Sequence, residues 1–383
     1  MTGLLVVAIE ASADAHGASV LRELRSLVPD LSAFGAGGPR LREEGCETLV
    51  RAEDLSVMGV VDVIPAIPRL WRSLGMLRRV AAERTPRAAL LIDSPDFNLR
   101  LAKRLRPLGI PVVYFIGPSV WAWRRYRIRQ IARDVLRMLV ILPFEAAFYE
   151  RSGVNATYVG NPVADAVRST AAAPAREDLR RTLGLDEGRP VLALLPGSRR
   201  GEIERIFPRM VEAATVLRGQ VEGLQLVVPV APTISREELA AKAPRDAVFV
   251  AGRAFDVLRA CDAAIVTSGT ATLEAALAGA PAVVVYRTSW INWLLGRLLV
   301  RVKHLALPNL LAGRAVMPEL LQSRCTPERI AESAAPLLDS RSAERSRQIE
   351  GLRAVRDELA PSGSLGAARR AAEEIARVLG KAG

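Results

Sequence analysis

Two glycine-containing turns in the second half of the chain have residue types that bind phosphate. The first follows an apolar run and precedes a helical pattern that begins near Glu202, and its candidate ligands in the segment LLPGSR are Gly197, Ser198 and Arg199. A glycine lets backbone N–H groups approach an anion, a helix start adds a positive dipole, and an arginine can donate two hydrogen bonds to a phosphate. An ordinary strand-to-helix turn with a surface arginine explains this spacing equally well.

The second turn, in the segment TSGTATLE, also joins the end of an apolar run to a helical pattern. Ser268 and Thr270 flank Gly269, and these small residues leave room for a diphosphate at a helix N-terminus. Glu274 follows just over one helical turn later, where a carboxylate can hold the hydroxyl groups of a ribose. N-capping of a core helix is the alternative, but two such turns in one domain favour a nucleotide site more than either turn alone.

Polar and aromatic residues follow two apolar runs in the first half of the chain. Asp93 ends one run (LIDSPDFN), where a carboxylate can act as a general base, although a turn acid fits that pattern better, and Asp96 is predicted to be a helix N-cap. After the next run (GPSVWAWRR), three side chains suit a sugar face, an anionic headgroup or a stacked nucleic-acid base: Trp121, Trp123 and Arg124. Packing between domains is the structural alternative for these aromatics.

Two segments mix arginine, tryptophan and leucine. Ile64–Val80 (IPAIPRLWRSLGMLRRV) contains Trp71 and Arg72, and Trp290–Val302 (WINWLLGRLLVRV) has a similar mixture. A basic amphipathic segment with an aromatic residue can lie in an anionic membrane interface. A helix that packs on a sheet with its arginines outward gives the same pattern, and the sequence favours that interpretation somewhat.

The formal net charge of +12 indicates an anionic partner, which could be a nucleic acid, a membrane lipid or a phosphorylated substrate. Residues 69–87 and 124–137 each hold six arginines and one acid, but they follow no recognised nucleic-acid motif. Three separated cysteines and two histidines predict neither a disulfide framework nor a His-based metal site. The sequence has no Asp-x-Asp pair for a divalent metal, so arginines and backbone dipoles are expected to stabilise a leaving nucleotide.

Apolar, β-branched runs alternate with helical patterns, which predicts an α/β protein with parallel sheets covered on both faces. The length of 383 residues favours two domains, and the pattern restarts after Gly160, so the boundary is predicted within Gly160–Glu187. Two Rossmann-like, doubly wound domains would face each other across a cleft and bind ligands at strand carboxyl ends. The predicted strands are Leu4–Ile9, Ala88–Asp93, Val112–Ile116, Val135–Leu142, Pro190–Leu195, Leu224–Pro229, Ala263–Thr267 and Pro281–Tyr286.

The amino-terminal residues MTGLLVVAIEASADAHG predict a buried strand rather than a signal peptide, because the apolar run is short and soon meets Glu10 and Asp14. No uninterrupted apolar run has the length that a transmembrane helix needs. These features predict a cytoplasmic protein.

Nine segments, in this order, resemble the lipid-A-disaccharide synthase family and together span nearly the whole chain. No single segment is decisive, but the ordered set is highly specific. The segments are GPRLREEGCE (38–47), LSVMGVVDV (55–63), LIDSPDFN (91–98), GPSVWAWR (117–124), LPFE (142–145), GNPVAD (160–165), LLPGSR (194–199), SGTATLE (268–274) and LPNLLAGR (307–314).

The resemblance implies the glycosyltransferase-B architecture, with an acceptor domain over 1–165, a UDP-sugar domain over 186–345 and C-terminal helices over 346–383 that return to the first domain. It implies transfer of 2,3-diacylglucosamine from UDP to the 6-hydroxyl of 2,3-diacylglucosamine 1-phosphate, with inversion to a β-1,6 link. No metal or other cofactor and no nucleic acid is expected. The implied location is the cytosolic face of the inner membrane of Gram-negative bacteria, peripherally bound to anionic lipid, and dimers occur in the family.

The resemblance also implies roles for residues in the shared motifs. Asp93 would be the general base for the acceptor hydroxyl, and Glu10 and Ser12 match the loop that the family places near the acceptor. On the nucleotide side, Arg199 would bind the diphosphate and Glu274 the ribose. Further residues implied on that side are Ser268, Gly269, Thr270, Asn309 and Arg314.

One motif departs from the family pattern. The first loop of the family usually reads Gly-Glu-x-Ser-Gly-Asp, whereas this chain has Ile9 and Ala13 at the two glycine positions. Because glycine often supplies a positive φ or a close backbone approach, the departure puts the acceptor geometry in question.

Three other functions remain open at this stage. One is another UDP-sugar transferase or an epimerase of the same architecture that acts on a water-soluble sugar. Another is a basic nucleic-acid-binding protein, and a third is a scaffold without activity, which the altered loop alone suggests.

Overall fold

The computed structural model of the chain describes residues 2–55, 63–169, 174–290, 293–294, 296, 302–359 and 365–381. The chain divides into two compact units: Met1–Asp165 together with Ser362–Gly383, called unit 1 below, and Ala166–Pro361, called unit 2. Most of the segment LSVMGVVDV lies outside the described residues, as does most of 291–301. None of the described helices is both long and apolar enough to cross a membrane.

Unit 1 is built on a seven-stranded parallel sheet. Its strands are β1 (Thr2–Val7), β2 (Leu31–Gly37), β3 (Glu47–Arg51), β4 (Ala88–Ile92), β5 (Val112–Phe115), β6 (Arg137–Val140) and β7 (Ala156–Tyr158). They lie in the order β3-β2-β1-β4-β5-β6-β7, and neighbouring strands are parallel. Successive strands are therefore added on one side of β1 up to β3 and on its other side from β4 onward. The carboxyl ends of β1 and β4 form the topological switch point, where ligands bind in such sheets.

Helices cover both faces of this sheet, because successive residues of its strands point to opposite sides. Leu5 and Val7 of β1 face one apolar core, whereas Leu4 and Val6 face the other. The helices are α1 (Ala11–Leu27), α2 (Pro39–Glu43), α3 (Ala52–Leu55), α4 (Val63–Arg84), α5 (Pro95–Leu105), α6 (Arg127–Asp134), α7 (Pro143–Glu150) and α8 (Pro162–Ser169), with a short 3₁₀ turn at Arg106–Leu108.

Unit 2 repeats the same design with a six-stranded parallel sheet. Its strands are β8 (Val191–Leu195), β9 (Gln225–Val230), β10 (Val248–Ala251), β11 (Ala263–Thr267), β12 (Ala282–Tyr286) and β13 (Glu319–Leu321). The order is β10-β9-β8-β11-β12-β13, so the switch point lies between β8 and β11. The two doubly wound parallel sheets confirm the predicted fold class.

The helices of unit 2 are α9 (Arg176–Thr182), α10 (Arg200–Arg218), α11 (Arg236–Ala240), α12 (Ala254–Ala260), α13 (Thr270–Ala278), α14 (Leu307–Ala312), α15 (Pro327–Leu338) and α16 (Ala343–Leu359). A short 3₁₀ turn spans Gln322–Arg324. The Asp262 carboxylate fixes α9 to the sheet, because it accepts hydrogen bonds from Arg176, Arg180 and the backbone N–H of Val191. The predicted start of this domain at residue 186 therefore comes after its first packed helix.

The last helix, α17 (Ala367–Lys381), belongs to unit 1, where it lies along α1. The prediction that 346–383 returns to the first domain is therefore wrong for α16, which packs on α13 and α14 of unit 2. Its Gln348 side chain bonds both the N–H and the C=O of Ala282, at 2.7 and 3.1 Å. Gly351 lies so close to Val316 that an added Cβ would be 2.7 Å from that side chain.

Candidate nucleotide and acceptor sites

The two phosphate-type turns of unit 2 meet in one cavity of about 430 Å³. The turn after β8 contributes 196–199, and the turn after β11 contributes 267–271. The walls continue at 229–232 and 252–254, which follow β9 and β10. The volume is that of a pocket for a small molecule, and its position at the switch point follows from the strand order.

Two helices begin at the wall of this cavity. Helix α10 begins directly after the cavity residue Arg199, and α13 begins at the cavity residue Thr270. At neither N-terminus does an N-cap side chain accept a hydrogen bond. Unpaired N–H groups of a first turn carry a partial positive charge of about half a unit, so the cavity is suited to an anion.

Glycine is required in both turns by the backbone conformation. Gly197 has φ 99° and Gly269 has φ 142°, values that side-chain-bearing residues adopt only with strain. At Gly197, an added Cβ would also lie 3.3 Å from the Glu202 carboxylate. Both glycines therefore keep the backbone at the cavity wall in a conformation that leaves its surface open.

Three polar side chains of the cavity have capacity for a ligand. The Thr267 hydroxyl is buried, with 3 % of the residue exposed, and has no hydrogen-bond partner among the described residues. The Arg199 side chain is 81 % exposed and pairs with Glu202 at 3.1 Å. Burial raises the pKa of the Glu274 carboxyl, which lines the same cavity.

The residues predicted on the nucleotide side fall into two groups, those at the cavity wall and those away from it. The structure brings Gly197, Ser198, Arg199, Ser268, Gly269, Thr270 and Glu274 to the cavity wall. Asn309 and Arg314 are not part of that wall. Asn309 is buried, and its amide is fully occupied: Nδ2 donates to the Met317 carbonyl and to Glu319, while Oδ1 accepts from the N–H groups of Val316 and Met317. In this structure Asn309 stabilises the loop that carries the exposed Arg314.

The switch point of unit 1 carries a carboxylate on a strained turn. Asp93 directly follows β4, and Asp93 and Ser94 have φ 49° and 45°. Such left-handed conformations cost about 1–3 kcal/mol each in non-glycine residues and are often found at functional sites. The Asp93 carbonyl oxygen accepts hydrogen bonds from Asn98 at 2.8 Å and from the Tyr114 hydroxyl at 2.5 Å. These two buried donors stabilise the turn.

Glu10, the N-cap residue of α1, reaches this turn from the loop that follows the neighbouring strand β1. Its carboxylate accepts a hydrogen bond from the Ser94 hydroxyl at 2.9 Å. Burial and then the negative charge of Glu10 raise the pKa of the Asp93 carboxyl, while the N–H of Ser94 opposes that rise. Ser12, the third predicted catalytic residue, is exposed in the first turn of α1. The turn thus places a carboxylate with a raised pKa at a strand end, where it can accept a proton.

The altered first loop forms without strain. Ile9 and Ala13 are buried, and neither has a positive φ. Asp14 anchors the loop, because its carboxylate accepts hydrogen bonds from the backbone N–H groups of Gly38, Arg40 and Leu41, at 2.7, 2.9 and 3.2 Å. The two missing glycines are therefore not needed for the backbone conformation seen here.

The tryptophan-containing loop after β5 is held by a buried acid. Trp121 is 9 % exposed, and its indole N–H donates to Glu145 at 2.9 Å. Burial raises the pKa of the Glu145 carboxyl to about 7. Trp121 thus packs inside unit 1, in contrast to its predicted place on the acceptor or membrane side. Trp123 is 40 % exposed, and the Arg124 guanidinium lies 4.1 Å from the centre of its ring.

Asp96 has a different role from the predicted N-cap. Ser94 is the N-cap residue of α5, and Asp96 lies in the first turn. Its carboxylate forms ion pairs with Arg124, at 3.1 Å, and with Arg127. Part of the basic cluster 124–137 is therefore neutralised within unit 1.

Sequence analysis missed the residues that position the site. Asn98 and Tyr114 fix the Asp93 turn, Glu145 holds the tryptophan loop and Thr267 lines the anion cavity. The only signal for each is a polar group within or next to an apolar run, which has no meaning until the fold supplies its neighbours. Among the described residues, no group of three or more His, Cys, Asp or Glu side chains could hold a metal ion.

Comparison with solved structures finds the same fold. The UDP-GlcNAc 2-epimerase from Neisseria meningitidis, bound to UDP-GlcNAc, has a TM-score of 0.66 at 12 % identity, with both chains covered completely. The calicheamicin glycosyltransferase CalG4 has a TM-score of 0.59 at 15 % identity, with 100 % of this chain and 99 % of that chain covered. Identities this low show the fold alone, which is that of two-domain glycosyltransferases and epimerases.

Sequence comparison distinguishes between the glycosyltransferases and the epimerases that share this fold. Curated lipid-A-disaccharide synthases from Anaeromyxobacter dehalogenans strain 2CP-C and Myxococcus xanthus are each 52 % identical to this chain, and the one from Geobacter sulfurreducens is 42 % identical. These matches cover 98–99 % of this chain and 97 % of each relative. The family model for lipid-A-disaccharide synthetase matches residues 4–373, and the chain therefore belongs to the lipid-A-disaccharide synthase family.

Proposed function

We propose that this protein transfers 2,3-diacylglucosamine from UDP to the 6-hydroxyl of 2,3-diacylglucosamine 1-phosphate, giving the β-1,6-linked disaccharide 1-phosphate and UDP. Membership of the family makes the chain a glycosyltransferase of lipid A biosynthesis. The observation that carries the proposal is the unit 2 cavity. Two helix N-termini, a buried hydroxyl without a partner among the described residues and an exposed arginine side chain surround this one space.

The leaving diphosphate is bound by unit 2 in this proposal. Its negative charge grows as the bond from the sugar to the β-phosphate breaks, and donors fixed in advance stabilise that charge most effectively. Those donors are the N–H groups that begin α10 and α13, the Thr267 hydroxyl and the Arg199 guanidinium. Because these groups already supply the positive charge, we propose that the reaction needs no divalent metal.

The proton of the acceptor is removed by Asp93 of unit 1. Inversion at the sugar requires one displacement: the acceptor oxygen bonds to C1, its proton passes to the Asp93 carboxylate, and the electron pair of the breaking C1–O bond leaves with UDP. A raised pKa makes this carboxylate a stronger base than an ordinary aspartate. Asn98 and Tyr114 act through the backbone of Asp93 and are positioning residues.

Replacing the proposed base tests this assignment. Asp93→Asn preserves the size and the backbone contacts of the side chain but cannot accept the proton, so we expect kcat to fall about 10²–10⁴-fold. The affinity for UDP, which unit 2 binds, is expected to stay unchanged in a calorimetric titration. Asp96→Asn, three residues away, is the matched control and should lose far less activity. A near-normal kcat for Asp93→Asn would rule out its role as base.

A pair of adjacent arginines tests the diphosphate site. Arg199 lines the cavity, whereas Arg200 is 75 % exposed and pairs with Glu238 outside it. Because a hydrogen bond between charged groups contributes more than a neutral one, Arg199→Ala is expected to weaken UDP binding about tenfold or more. Arg200→Ala should change it little, and a metal chelator should leave the wild-type affinity unchanged. Equal effects of the two substitutions, or loss of binding with chelator, would contradict the proposed site.

The pH dependence follows from the pair of carboxylates. Asp93 acts when deprotonated, so kcat/KM falls as the pH drops through its raised pKa. Glu10→Gln removes a negative charge but retains an oxygen that can accept the Ser94 hydrogen bond, and the pKa of Asp93 should fall. The acidic limb of the pH–rate profile is then expected to move to lower pH. A limb that stays in place or moves to higher pH would show that Glu10 does not act on Asp93 electrostatically.

We also propose that α4 docks the protein on the cytosolic face of an anionic membrane. Its inner residues Leu74 and Leu77 are buried in the core of unit 1, as the structural interpretation of the sequence predicted. Trp71 remains 48 % exposed, and the guanidinium carbons of Arg100 and Arg104 lie 5.4 and 5.1 Å from its ring centre. An exposed indole among arginines is suited to an interface of headgroups and acyl chains.

Two exposed tryptophans distinguish the two candidate membrane segments. Trp71→Ala is expected to weaken binding to vesicles that contain phosphatidylglycerol by about tenfold, because an indole would otherwise bury much of its apolar surface. Trp290 is 72 % exposed in unit 2, and Trp290→Ala is expected to have no effect. Cosedimentation at low salt measures both. The opposite pattern, or no binding of the wild type, would overturn the assignment to α4.

A further inference from the structure

A second cavity, of about 600 Å³, adjoins the anion cavity of unit 2. The two cavities share three residues, Arg199, Glu202 and Ser268. Among the described residues, the wall of the second cavity also includes Tyr286, Thr288, Trp293, Gly296, Lys303 and Leu321. A ligand bound in the first cavity can therefore continue into the second without leaving the protein surface.

The strand order gives this pair of cavities a direction. The anion cavity is lined by residues after β10, β9, β8 and β11, whereas the second cavity reaches across the ends of β8, β11, β12 and β13. The phosphate-type turns after β8 and β11 lie in the middle. A diphosphate bound there would leave room for a nucleoside at 229–232 and 252–254, and for the group on its β-phosphate at Tyr286 and Leu321.

The wall of the second cavity has both apolar and polar side chains, and part of its polar backbone is already paired. Its side chains include two aromatic rings and three aliphatic groups, namely Tyr286, Trp293, Val302, Leu305 and Leu321. The backbone N–H and C=O of Thr288 both bond the Gln322 side chain, at 2.8 and 3.2 Å. The N–H of Leu305 donates to Glu319 at 3.0 Å.

Of the polar side chains in this wall, Thr288 and Lys303 belong to the second cavity alone, and three others lie where the two cavities meet. Arg199, Glu202 and Ser268 are there, and the Ser268 hydroxyl donates to the Leu305 carbonyl oxygen at 3.3 Å. A bare sugar with hydroxyl groups on every side would leave many of them without partners deeper in the cavity, which is costly. A hydrocarbon chain has no such requirement and removes the apolar wall from water.

We propose that the second cavity binds a fatty acyl chain of the nucleotide-linked sugar. This inference rests on the proposed function for the identity of the nucleotide, and adds where in unit 2 the chain of the donor lies. The sugar ring then sits near Glu202 and Ser268, and the chain extends past Tyr286 toward Trp293 and Leu321. The size of this cavity then sets how many methylene groups of the acyl chain can be buried.

Gly296 offers a substitution that fills the cavity. A Cβ built at Gly296 has no atom of the described residues within 4 Å, so Gly296→Trp adds a large apolar group to the cavity wall. Gly188 is the matched control: it is exposed in the loop before β8, its added Cβ makes only an ordinary contact of 3.7 Å, and it lines neither cavity. Gly188→Trp therefore adds the same side chain away from the site.

The test measures the affinity of wild type and both variants for UDP, UDP-GlcNAc and UDP-diacylglucosamines of increasing chain length. For the wild type we expect affinity to rise about fourfold for each methylene buried, until the cavity is full. In Gly296→Trp the long-chain donor should bind no more tightly than the short-chain donor, while the affinity for UDP stays unchanged. Gly188→Trp should behave as the wild type.

Binding is chosen because it does not depend on turnover. If the wild type shows the rise with chain length and Gly296→Trp abolishes it, the acyl site stands even if no acceptor is glycosylated. If the wild type binds all acylated donors no better than UDP-GlcNAc, or if both variants retain the rise, the inference is overturned. Transfer with an unchanged chain-length preference in Gly296→Trp would overturn the acyl site and leave the proposed function intact.

Discussion

The proposed phosphate-binding edge of unit 2 depends on the backbone N–H groups in the first turns of two helices. Helices α10 and α13 begin on either side of the switch point between β8 and β11, and two glycines with positive φ keep the space before them open. Both helix starts lie at this edge because parallel strands are joined by crossover helices, which begin at the carboxyl ends of the strands. Thr267 and Arg199 add side-chain donors to a site that the backbone has already formed.

Unit 1 uses the same topology for the opposite electrostatic purpose. Its switch point, between β1 and β4, carries the carboxylates of Glu10 and Asp93 directly before the helices α1 and α5. Two negative groups near each other raise the pKa of the more buried one, which suits a proton acceptor. The strain of the turn at Asp93 is offset by the buried hydrogen bonds from Asn98 and Tyr114. In the proposed mechanism, one architecture thus supplies an anion site in one unit and a base in the other.

The fold was predictable because most strands are continuous apolar runs, but several elements were not. β2 (LSAFGAG) is rich in small residues, and β13 has only three residues, so neither gives a strand signal. The membership of α16 in unit 2 depends on contacts such as the one between Gln348 and Ala282. The turns that line the anion cavity were identifiable because glycine and hydroxyl residues follow apolar runs. The occupied amide of Asn309 and the burial of Trp121 become visible only with their neighbours in place.

A crystal structure of the protein with UDP tests the central claim most directly. The account predicts that the diphosphate lies between the turns at 196–199 and 267–271, within hydrogen-bond distance of their backbone N–H groups, the Thr267 hydroxyl and Arg199. The base should lie toward 229–232 and 252–254, which leaves the cavity at Tyr286 and Leu321 empty. A diphosphate bound elsewhere, or a uracil in that second cavity, would contradict the account.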